Sequence, residues 1–172
     1  VATIAFARSG FRVICADPTP PITAREDEGA DLRTTAFLQP SQAFLERIGL
    51  WDRLAAHATP LQVMRIVDAG GEVPEARVAH DFNAADISDK PFGRNLPNWL
   101  LRREMVAELN ALETVDFRTG TETAQVLTRE REARITLTDG SRLRAKLVIG
   151  ADGRDSKVRE SVGIGARTTR YG

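Results

Sequence analysis

The stretch Leu147-Val-Ile-Gly-Ala-Asp-Gly153, followed by Ser156 and Arg159, decides the fold class. An apolar run that ends in small residues and an Asp-Gly turn predicts a strand, and we expect a helix to begin near Ser156. Ligands bind at the carboxyl ends of strands in parallel α/β sheets, and glycines there let a nucleotide approach the backbone. The alternative is an ordinary strand-to-helix turn in which Asp152 caps a local backbone group. The full Gly150-Ala-Asp-Gly-x-x-Ser-x-x-Arg159 spacing favours a binding site.

A second α/β signal lies at the beginning of the chain. Val1–Arg8 has helical composition and stops at Ser9-Gly10, and Phe11–Asp17 is an apolar run closed by Pro18, which predicts a buried strand. A helix followed by a strand is half of a βαβ unit. Asp17 ends this strand, where a dinucleotide-binding fold places the acid that accepts hydrogen bonds from a ribose. An acid before a proline is also common in loops, so Asp17 alone leaves both interpretations open.

The remaining elements follow from hydrophobic spacing and from turn residues. Helical spacing predicts helices over 41–58, divided at Gly49, and over 100–112. Predicted strands cover 62–69, 77–82, 115–118, 125–128, 134–138 and 142–149. We expect hairpins at Gly70-Gly71 and at Asp139-Gly140, and loops over 19–32 and 83–98.

Composition excludes several classes of protein. The chain has 172 residues, of which 42% are hydrophobic, and its 24 Lys and Arg residues balance 24 Asp and Glu residues. These values exclude a disordered or fibrous protein, and the balanced charge argues against nucleic acid as a partner. No apolar stretch reaches the roughly 18–20 residues of a membrane span. We therefore expect a cytoplasmic protein whose association with a membrane would be peripheral.

Few residues could carry metal or nucleophilic chemistry. Cys15 is the only cysteine and lies in an apolar run, which excludes an intramolecular disulfide and favours a reducing compartment. His57 and His80 have no ligand or acid partner at a convincing spacing, and we interpret both as structural or surface residues. The sequence therefore predicts no metal site and identifies no catalytic residue.

Two arginine positions are candidate anion sites. Arg33 lies in Asp31-Leu-Arg-Thr-Thr35, and the pair Arg102-Arg103 begins the predicted helix over 100–112. Guanidinium groups bind phosphates and carboxylates through parallel N–H donors. We expect Arg102 to face inward more than Arg103, because it lies three residues before Met105 of the apolar helical stripe. A solvated surface arginine is the alternative at each position.

Five segments in order along the chain resemble the FAD-dependent aromatic hydroxylases of the para-hydroxybenzoate hydroxylase group. Phe44-Leu-Glu-Arg-Ile-Gly-Leu-Trp51 is most similar to the ubiquinone-biosynthesis branch of that group. The resemblance covers nearly the whole chain and rests on residues 11–17, 31–36, 44–51, 98–105 and 150–153. It implies that Asp17 binds the FAD ribose, that Arg33 lies by the FAD phosphates and the incoming nicotinamide nucleotide, and that Arg102 contacts the FAD.

Four further positions take a role from the same resemblance. Asp152 and Gly153 correspond to the family's Asp-Gly motif, and Arg159 closes it. Thr123 stands where the family has a valine whose backbone contacts the adenine, a departure from the pattern. The resemblance thus implies seven cofactor-binding residues in this chain.

The resemblance also implies the architecture. We expect an α/β chain, residues 1–172, that forms a partial FAD-binding, Rossmann-like domain with a β-meander crossover. A short hairpin within 61–99 would extend toward the substrate-binding sheet. Val1 is not a methionine, and the chain stops at Gly172 without a terminal helix or polar tail, which indicates an internal segment. The family's glycine-rich pyrophosphate loop would precede Val1, and its Gly-Asp motif would follow Gly172, so we expect this segment alone to be inactive.

The function implied is that of a flavoprotein monooxygenase. NAD(P)H reduces the FAD, which then reacts with O2 to hydroxylate a small aromatic substrate, such as a polyprenyl phenol of ubiquinone biosynthesis. Peripheral binding to a membrane or to a biosynthetic complex is consistent with such a substrate. One alternative keeps FAD but reduces a prenyl chain, and a second is a non-catalytic flavin-domain remnant.

Overall fold

The computed structural model describes residues 1–72 and 74–171, which form two units of mixed α/β structure. The first unit comprises Val1–Val13 and Pro21–Val115, and the second comprises Ile14–Pro20 and the chain from Asp116 onward. The mixed α/β class agrees with the prediction. Gly172, the last residue of the predicted domain, and Val73 lie outside the described residues.

Four helices of the first unit pack around one apolar core. They are α1 (Ala2–Arg8), α2 (Gln39–Arg47), α3 (Trp51–Leu54) and α4 (Asn98–Ala111). The predicted division at Gly49 is confirmed, because Gly49 adopts a φ of 68°, a conformation that favours glycine. The buried residues are Ile4, Leu45, Ile48, Leu50, Trp51, Leu54, Leu96 and Leu100, and the predicted stripe Leu101, Met105, Leu109 and Leu112 packs against them.

A three-stranded antiparallel sheet in the first unit corrects the sequence prediction. Its order is β2 (Thr34–Leu38), β6 (Gly93–Pro97), β3 (Thr59–Leu61), so the loop predicted over 83–98 is wrong for its last part. Gly93 indicated a turn, but it lies in the central strand. A Cβ at this position would come within 2.2 Å of the Phe37 carbonyl oxygen, so only glycine fits this close approach.

The predicted hairpin at Gly70-Gly71 is confirmed. Strands β4 (Val63–Gly70) and β5 (Glu75–Asn83) pair in antiparallel register, with Ile66 opposite His80. The hairpin lies within 61–99, the segment predicted to extend toward the substrate side. One face of the hairpin is largely apolar. Its large hydrophobic side chains are 42–61% exposed, and they are Met64, Ile66, Val78 and Phe82. His80 lies on the same face and is exposed, its ring edge against Phe82 at 4.7 Å between centroids.

The second unit contains the predicted meander. Strand β1 (Val13–Asp17) lies beside β7 (Val115–Thr119), and β8 (Thr123–Thr128), β9 (Ala133–Leu137) and β10 (Arg142–Ala145) form an antiparallel sheet in the order β10-β9-β8. Helix α5 (Lys157–Ser161) follows. The sheet buries Val126, Ala133, Ile135 and Leu137, and the Asp139-Gly140 turn is confirmed by a φ of 83° at Gly140.

Two apolar runs are less buried than the sequence predicted. Strand β10 ends at Ala145, so the strand predicted to reach Ile149 is wrong over 146–149. Leu147 and Ile149 are 62% and 50% exposed, and no strand in the described part of the chain pairs with this segment. Strand β1 is confirmed as a strand but not as a buried one, since Ile14 is exposed. A strand requires a hydrogen-bonded neighbour as well as apolar residues.

Within residues 1–72 and 74–171, no helix has the length and hydropathy of a membrane span. Likewise, no group of His, Cys, Asp and Glu side chains in those ranges is arranged to hold a metal ion.

Candidate functional site

In the first unit, Asp31 is the centre of a polar cluster at the start of β2. Its Oδ1 accepts hydrogen bonds from Arg33 Nε at 2.9 Å and from the Arg33 backbone N–H at 3.2 Å, and its Oδ2 accepts one from Arg33 Nη2 at 2.9 Å. This is the two-point pairing of a guanidinium with a carboxylate. Arg33, a predicted site residue, is therefore held by its own neighbour in sequence.

Helix α4 contributes the other side of the cluster. Asn98 Nδ2 donates to Asp31 Oδ2 at 3.0 Å, and Asn98 Oδ1 accepts from the Thr35 hydroxyl at 2.5 Å. The Asn98 backbone N–H donates to the Arg33 carbonyl at 2.9 Å. Arg102, another predicted site residue, lies one turn further along α4 with Nη2 3.8 Å from Asp31 Oδ2. The structure thus places Arg33 and Arg102 around one carboxylate.

The cluster presents a cation to solvent. Hydrogen bonds from Arg33, and then from Asn98, hold the pKa of Asp31 well below its usual range, so this carboxylate is ionised. The same pairing raises the pKa of Arg33. The Asp31 side chain is 12% exposed, whereas that of Arg33 is 84% exposed. Two arginines and one carboxylate leave one net positive charge on this surface.

As whole residues, Arg102 is half-buried and Arg103 is exposed, in the predicted order. Their side chains alone are equally exposed, at 43%. They differ in their partners, because Arg103 donates to Glu104 and stacks its guanidinium 5.2 Å from the Trp99 ring centre, while Arg102 is directed at Asp31. Arg102 is therefore the member of the pair that joins the cluster.

In the second unit, the Asp152 carboxylate accepts hydrogen bonds from residues at the start of α5. Its Oδ1 accepts a hydrogen bond from the Ser156 hydroxyl at 2.5 Å, and its Oδ2 accepts one from the Val158 backbone N–H at 3.0 Å. Burial acts to raise the pKa of Asp152, but these hydrogen bonds outweigh it and lower the pKa. The contacts match the local-cap alternative considered from the sequence, and the cofactor role of Asp152 stays a prediction.

The predicted helix start at Ser156 is confirmed. Ser156 is the N-cap of α5, and its Oγ accepts a hydrogen bond from the Arg159 backbone N–H at 3.0 Å. The Arg159 guanidinium closes the loop by donating from Nη1 to the Arg154 carbonyl at 2.9 Å. Gly153 has a φ of 81°, which favours glycine, and among the described residues no heavy atom beyond its chain neighbours lies within 4 Å of the place where a Cβ would stand. Backbone is thus open to close approach at Gly153.

Arg159 also lines a cavity of about 520 Å³ within the second unit. The cavity walls are apolar at Val126, Val158 and Ile164. They also carry four basic side chains and two carboxylates, which are Arg129, Arg131, Lys146, Arg159, Glu130 and Glu132. Arg159 Nε is buried and has no hydrogen-bond partner within the described ranges. A buried donor without a partner is rare, and it marks Arg159 as the side chain of this loop with unused binding capacity.

The last two predicted site residues, Asp17 and Thr123, are not hydrogen-bonded to the loop from Asp152 to Arg159 within the described residues. Asp17 ends β1, and its Oδ1 accepts a hydrogen bond from the Thr19 backbone N–H at 3.0 Å. Thr123 begins β8 opposite Leu137, next to a register shift. In the part of the chain that the structure describes, no hydrogen bond or ion pair joins either residue to the segment around Asp152.

Sequence reasoning missed a buried carboxylate in the first unit. The Glu108 side chain of α4 is 4% exposed and accepts hydrogen bonds from Arg8 of α1 and from Arg53 Nε of α3, the latter at 2.9 Å. Burial acts to raise the pKa of Glu108, but the two arginines outweigh it and lower the pKa. The available signal was the spacing of Glu104 and Glu108, which places two carboxylates on one helical face.

Comparison with known proteins assigns the family. The model of the family described as "FAD binding domain" matches residues 21–171. This chain belongs to that family. The family assignment confirms the resemblance stated from the sequence, and FAD is the cofactor that the family's description names.

Curated relatives match nearly the whole chain. It is 35% identical over 168 residues to ubiquinone hydroxylase UbiL of Rhodospirillum rubrum, covering 98% of this chain and 38% of the relative. It is 29% identical to the 3-demethoxyubiquinol 3-hydroxylase of Escherichia coli, covering 98% of this chain and 42% of that protein. The chain therefore spans about two fifths of the length of these relatives.

Solved structures share the fold at low sequence identity. The p-nitrophenol 4-monooxygenase PnpA from Pseudomonas putida superposes with a TM-score of 0.71 at 21% identity, covering 94% of this chain and 40% of that one. The flavin-dependent monooxygenase PieE, solved with FAD and substrate, gives 0.70 at 23% identity and covers 94% of this chain and 29% of its own. These likenesses show the fold of a partial FAD-binding domain.

Taken separately, each unit carries groups that suit part of a dinucleotide such as FAD. In the second unit Arg159 supplies a buried donor that has no partner within the described residues, and Gly153 leaves its backbone open. In the first unit Arg33 exposes a guanidinium. These groups suit phosphate oxygens, and the Asp17 carboxylate suits ribose hydroxyls. Donors and acceptors of the required kinds are therefore present in both units.

Proposed function

We propose that this chain is the FAD-binding part of a flavoprotein monooxygenase that hydroxylates a polyprenyl phenol in ubiquinone biosynthesis. The observation that carries the proposal is the family match over residues 21–171, together with two relatives that align with 98% of the chain, one named a ubiquinone hydroxylase and the other a 3-demethoxyubiquinol 3-hydroxylase. NAD(P)H and O2 are the proposed co-substrates. The substrate is a small aromatic molecule, and we propose peripheral association with a membrane or with other enzymes of the pathway.

The chain's own residues bind and orient the cofactor in this proposal. FAD, when bound, supplies the redox and oxygen-transfer chemistry. Asp17 accepts hydrogen bonds from the ribose, and Arg33 and Arg102 bind phosphate oxygens. Gly153 lets the cofactor approach the backbone, and Thr123 offers its backbone to the adenine. Arg159 keeps the loop from Asp152 to Arg159 closed through its bond to the Arg154 carbonyl.

The test uses the purified full-length protein. Flavin absorption bands, NAD(P)H oxidation coupled to O2 uptake, and a product carrying one added oxygen atom are the expected results with a polyprenyl phenol. Oxidation of NAD(P)H with loss of a prenyl double bond and without O2 uptake would support the reductase alternative. A colourless protein that takes up no FAD would support the non-catalytic alternative.

A further inference from the structure

We infer that Asp31 is a positioning residue whose carboxylate holds the Arg33 guanidinium in the orientation that binds a phosphate group of a nucleotide. This inference rests on the proposed function, which supplies the nucleotide. It goes beyond it by assigning a role to Asp31, and it makes the exposed arginine a prearranged phosphate site.

The geometry of the pair leaves the binding edge of Arg33 free. A guanidinium has five N–H groups, and Arg33 uses two of them, one on Nε and one on Nη2, for Asp31. The other three have no partner among residues 1–72 and 74–171, and the side chain is 84% exposed. Asp31 thus contacts one edge of the guanidinium, and the opposite edge faces solvent.

The carboxylate is itself fixed from a second element. Asn98 at the start of α4 donates to Asp31 Oδ2 at 3.0 Å and is held in turn by the Thr35 hydroxyl. Arg33 is a flexible side chain, and ordering such a side chain at the moment of binding weakens affinity. Because Asp31 is anchored to α4, and α4 is tied to β2 through Asn98 and Thr35, Asp31 removes part of that entropic cost before the ligand arrives.

A stabilising surface ion pair does not account for this arrangement. Exposed ion pairs contribute little to folding, and Arg33 is the most exposed arginine among the ion pairs of the described residues. The chain offers a control with the same Asp-x-Arg spacing, Asp116 and Arg118 of β7. There Arg118 donates from Nε and Nη2 to the single oxygen Asp116 Oδ2, and its side chain is only 31% exposed. The family resemblance assigns no cofactor role to Asp116 or Arg118.

The variant Asp31→Asn separates positioning from charge, because the two effects have opposite signs. Removing a negative charge near a bound phosphate favours tighter binding. Losing the orientation of Arg33 favours weaker binding. We expect roughly fivefold weaker binding, the size of effect associated with ordering one long side chain.

Two measurements on the full-length protein identify the phosphate involved. Titration of the apoprotein with FAD, followed by flavin fluorescence, gives the FAD affinity, and steady-state kinetics give KM for NAD(P)H and kcat. If Arg33 binds the FAD, we expect Asp31→Asn to raise the FAD Kd roughly fivefold. If Arg33 binds the nicotinamide nucleotide, we expect it to raise the KM for NAD(P)H roughly fivefold while kcat stays within about twofold of wild type. Thermal unfolding of each apoprotein monitors the fold.

Controls make the result specific to Arg33. The double variant Asp31→Asn/Arg33→Ala should lose no more affinity than Arg33→Ala, Asp31→Glu should restore part of the loss, and Asp116→Asn should match the wild type. Unchanged or tighter binding by Asp31→Asn, or additive losses in the double variant, would overturn the role of Asp31 and leave the proposed function standing. A wild-type apoprotein that binds neither FAD nor NAD(P)H would overturn both.

Discussion

Asp31 and Glu108 each lie between two arginines of the first unit, yet the two clusters differ in what they leave exposed. Glu108 is 4% exposed, and its arginines Arg8 and Arg53, which come from two other helices, are 46% and 39% exposed. Asp31 pairs with Arg33 only two residues away, and that arginine is 84% exposed. The Glu108 cluster joins three helices, and the Asp31 cluster holds a cation that is exposed to solvent. The difference teaches that the exposure of the paired arginine, rather than the number of arginines, distinguishes a carboxylate that joins helices from one that leaves a cation accessible to solvent.

The largest effect should come from removing the buried carboxylate. Glu108→Ala leaves Arg8 and Arg53 without their shared partner, and breaking a buried pair commonly costs about 3–5 kcal/mol. Because both arginines retain access to water, we expect a loss of about 2–3 kcal/mol in the free energy of unfolding. Denaturant unfolding of the full-length protein measures it, with Asp116→Asn as the surface control within about 0.5 kcal/mol of wild type. Equal stability of the two variants would contradict a structural role for Glu108.

The same cluster predicts a pH dependence. The lowered pKa of Glu108 means that its contribution to stability is fully present above the ordinary value of 4.5 and is lost as the pH falls through the lower folded-state pKa. The stability difference between wild type and Glu108→Gln should therefore be constant near neutral pH and shrink below pH 4.5. Unfolding curves of both proteins across that range check this. A stability difference between the two proteins that grows on acidification would contradict the lowered pKa of Glu108.

A smaller effect, and one on binding alone, is expected at Arg33. Arg33→Ala should slow flavin reduction at limiting NAD(P)H about tenfold, equivalent to about 1.4 kcal/mol, while FAD retention changes less. Its exposure implies an unchanged free energy of unfolding. Stopped-flow reduction over a range of NAD(P)H concentrations is the measurement. An unaltered rate at every concentration would remove Arg33 from the site.

The smallest effect concerns Asp152, a carboxylate bonded to a hydroxyl and a backbone N–H. Ser156→Ala removes the N-cap of α5 and should cost about 1 kcal/mol of stability, and Asp152→Ala should cost a similar amount. If Asp152 also contacts the cofactor, FAD affinity falls further in Asp152→Ala than in Ser156→Ala. Fluorescence titration of both variants with FAD decides this. Equal FAD affinities would show that Asp152 stabilises only the start of α5.

Elements specified by nearby residues were predictable from the sequence. The break at Gly49, the hairpin at Gly70-Gly71 and the cap at Ser156 all depend on short-range geometry. Strand β6 was not predictable, because Gly93 is a strand residue only through its close approach to Phe37 of β2. The strand predicted over 146–149 was wrong for the opposite reason. The apolar residues there indicate a strand, but no strand in the described part of the chain pairs with them.

The candidate site divides in the same way. Arg33 and Arg102 were found through the family resemblance, but their common contact with Asp31 depends on the packing of α4 against the start of β2. Glu108 was missed because Arg8 and Arg53 are distant in sequence, and only the tertiary structure brings them together. Sequence patterns can thus supply candidate residues, whereas the partners that orient them come from the fold.

The β4–β5 hairpin has a consequence for solubility. Within the described residues it is a two-stranded sheet, so its outer backbone edges have no strand partner there, and Met64, Ile66, Val78 and Phe82 are exposed on one face. Free edges beside exposed apolar side chains act as templates for strand addition between molecules. Wherever this face is left uncovered, self-association will therefore increase with protein concentration and begin at the hairpin.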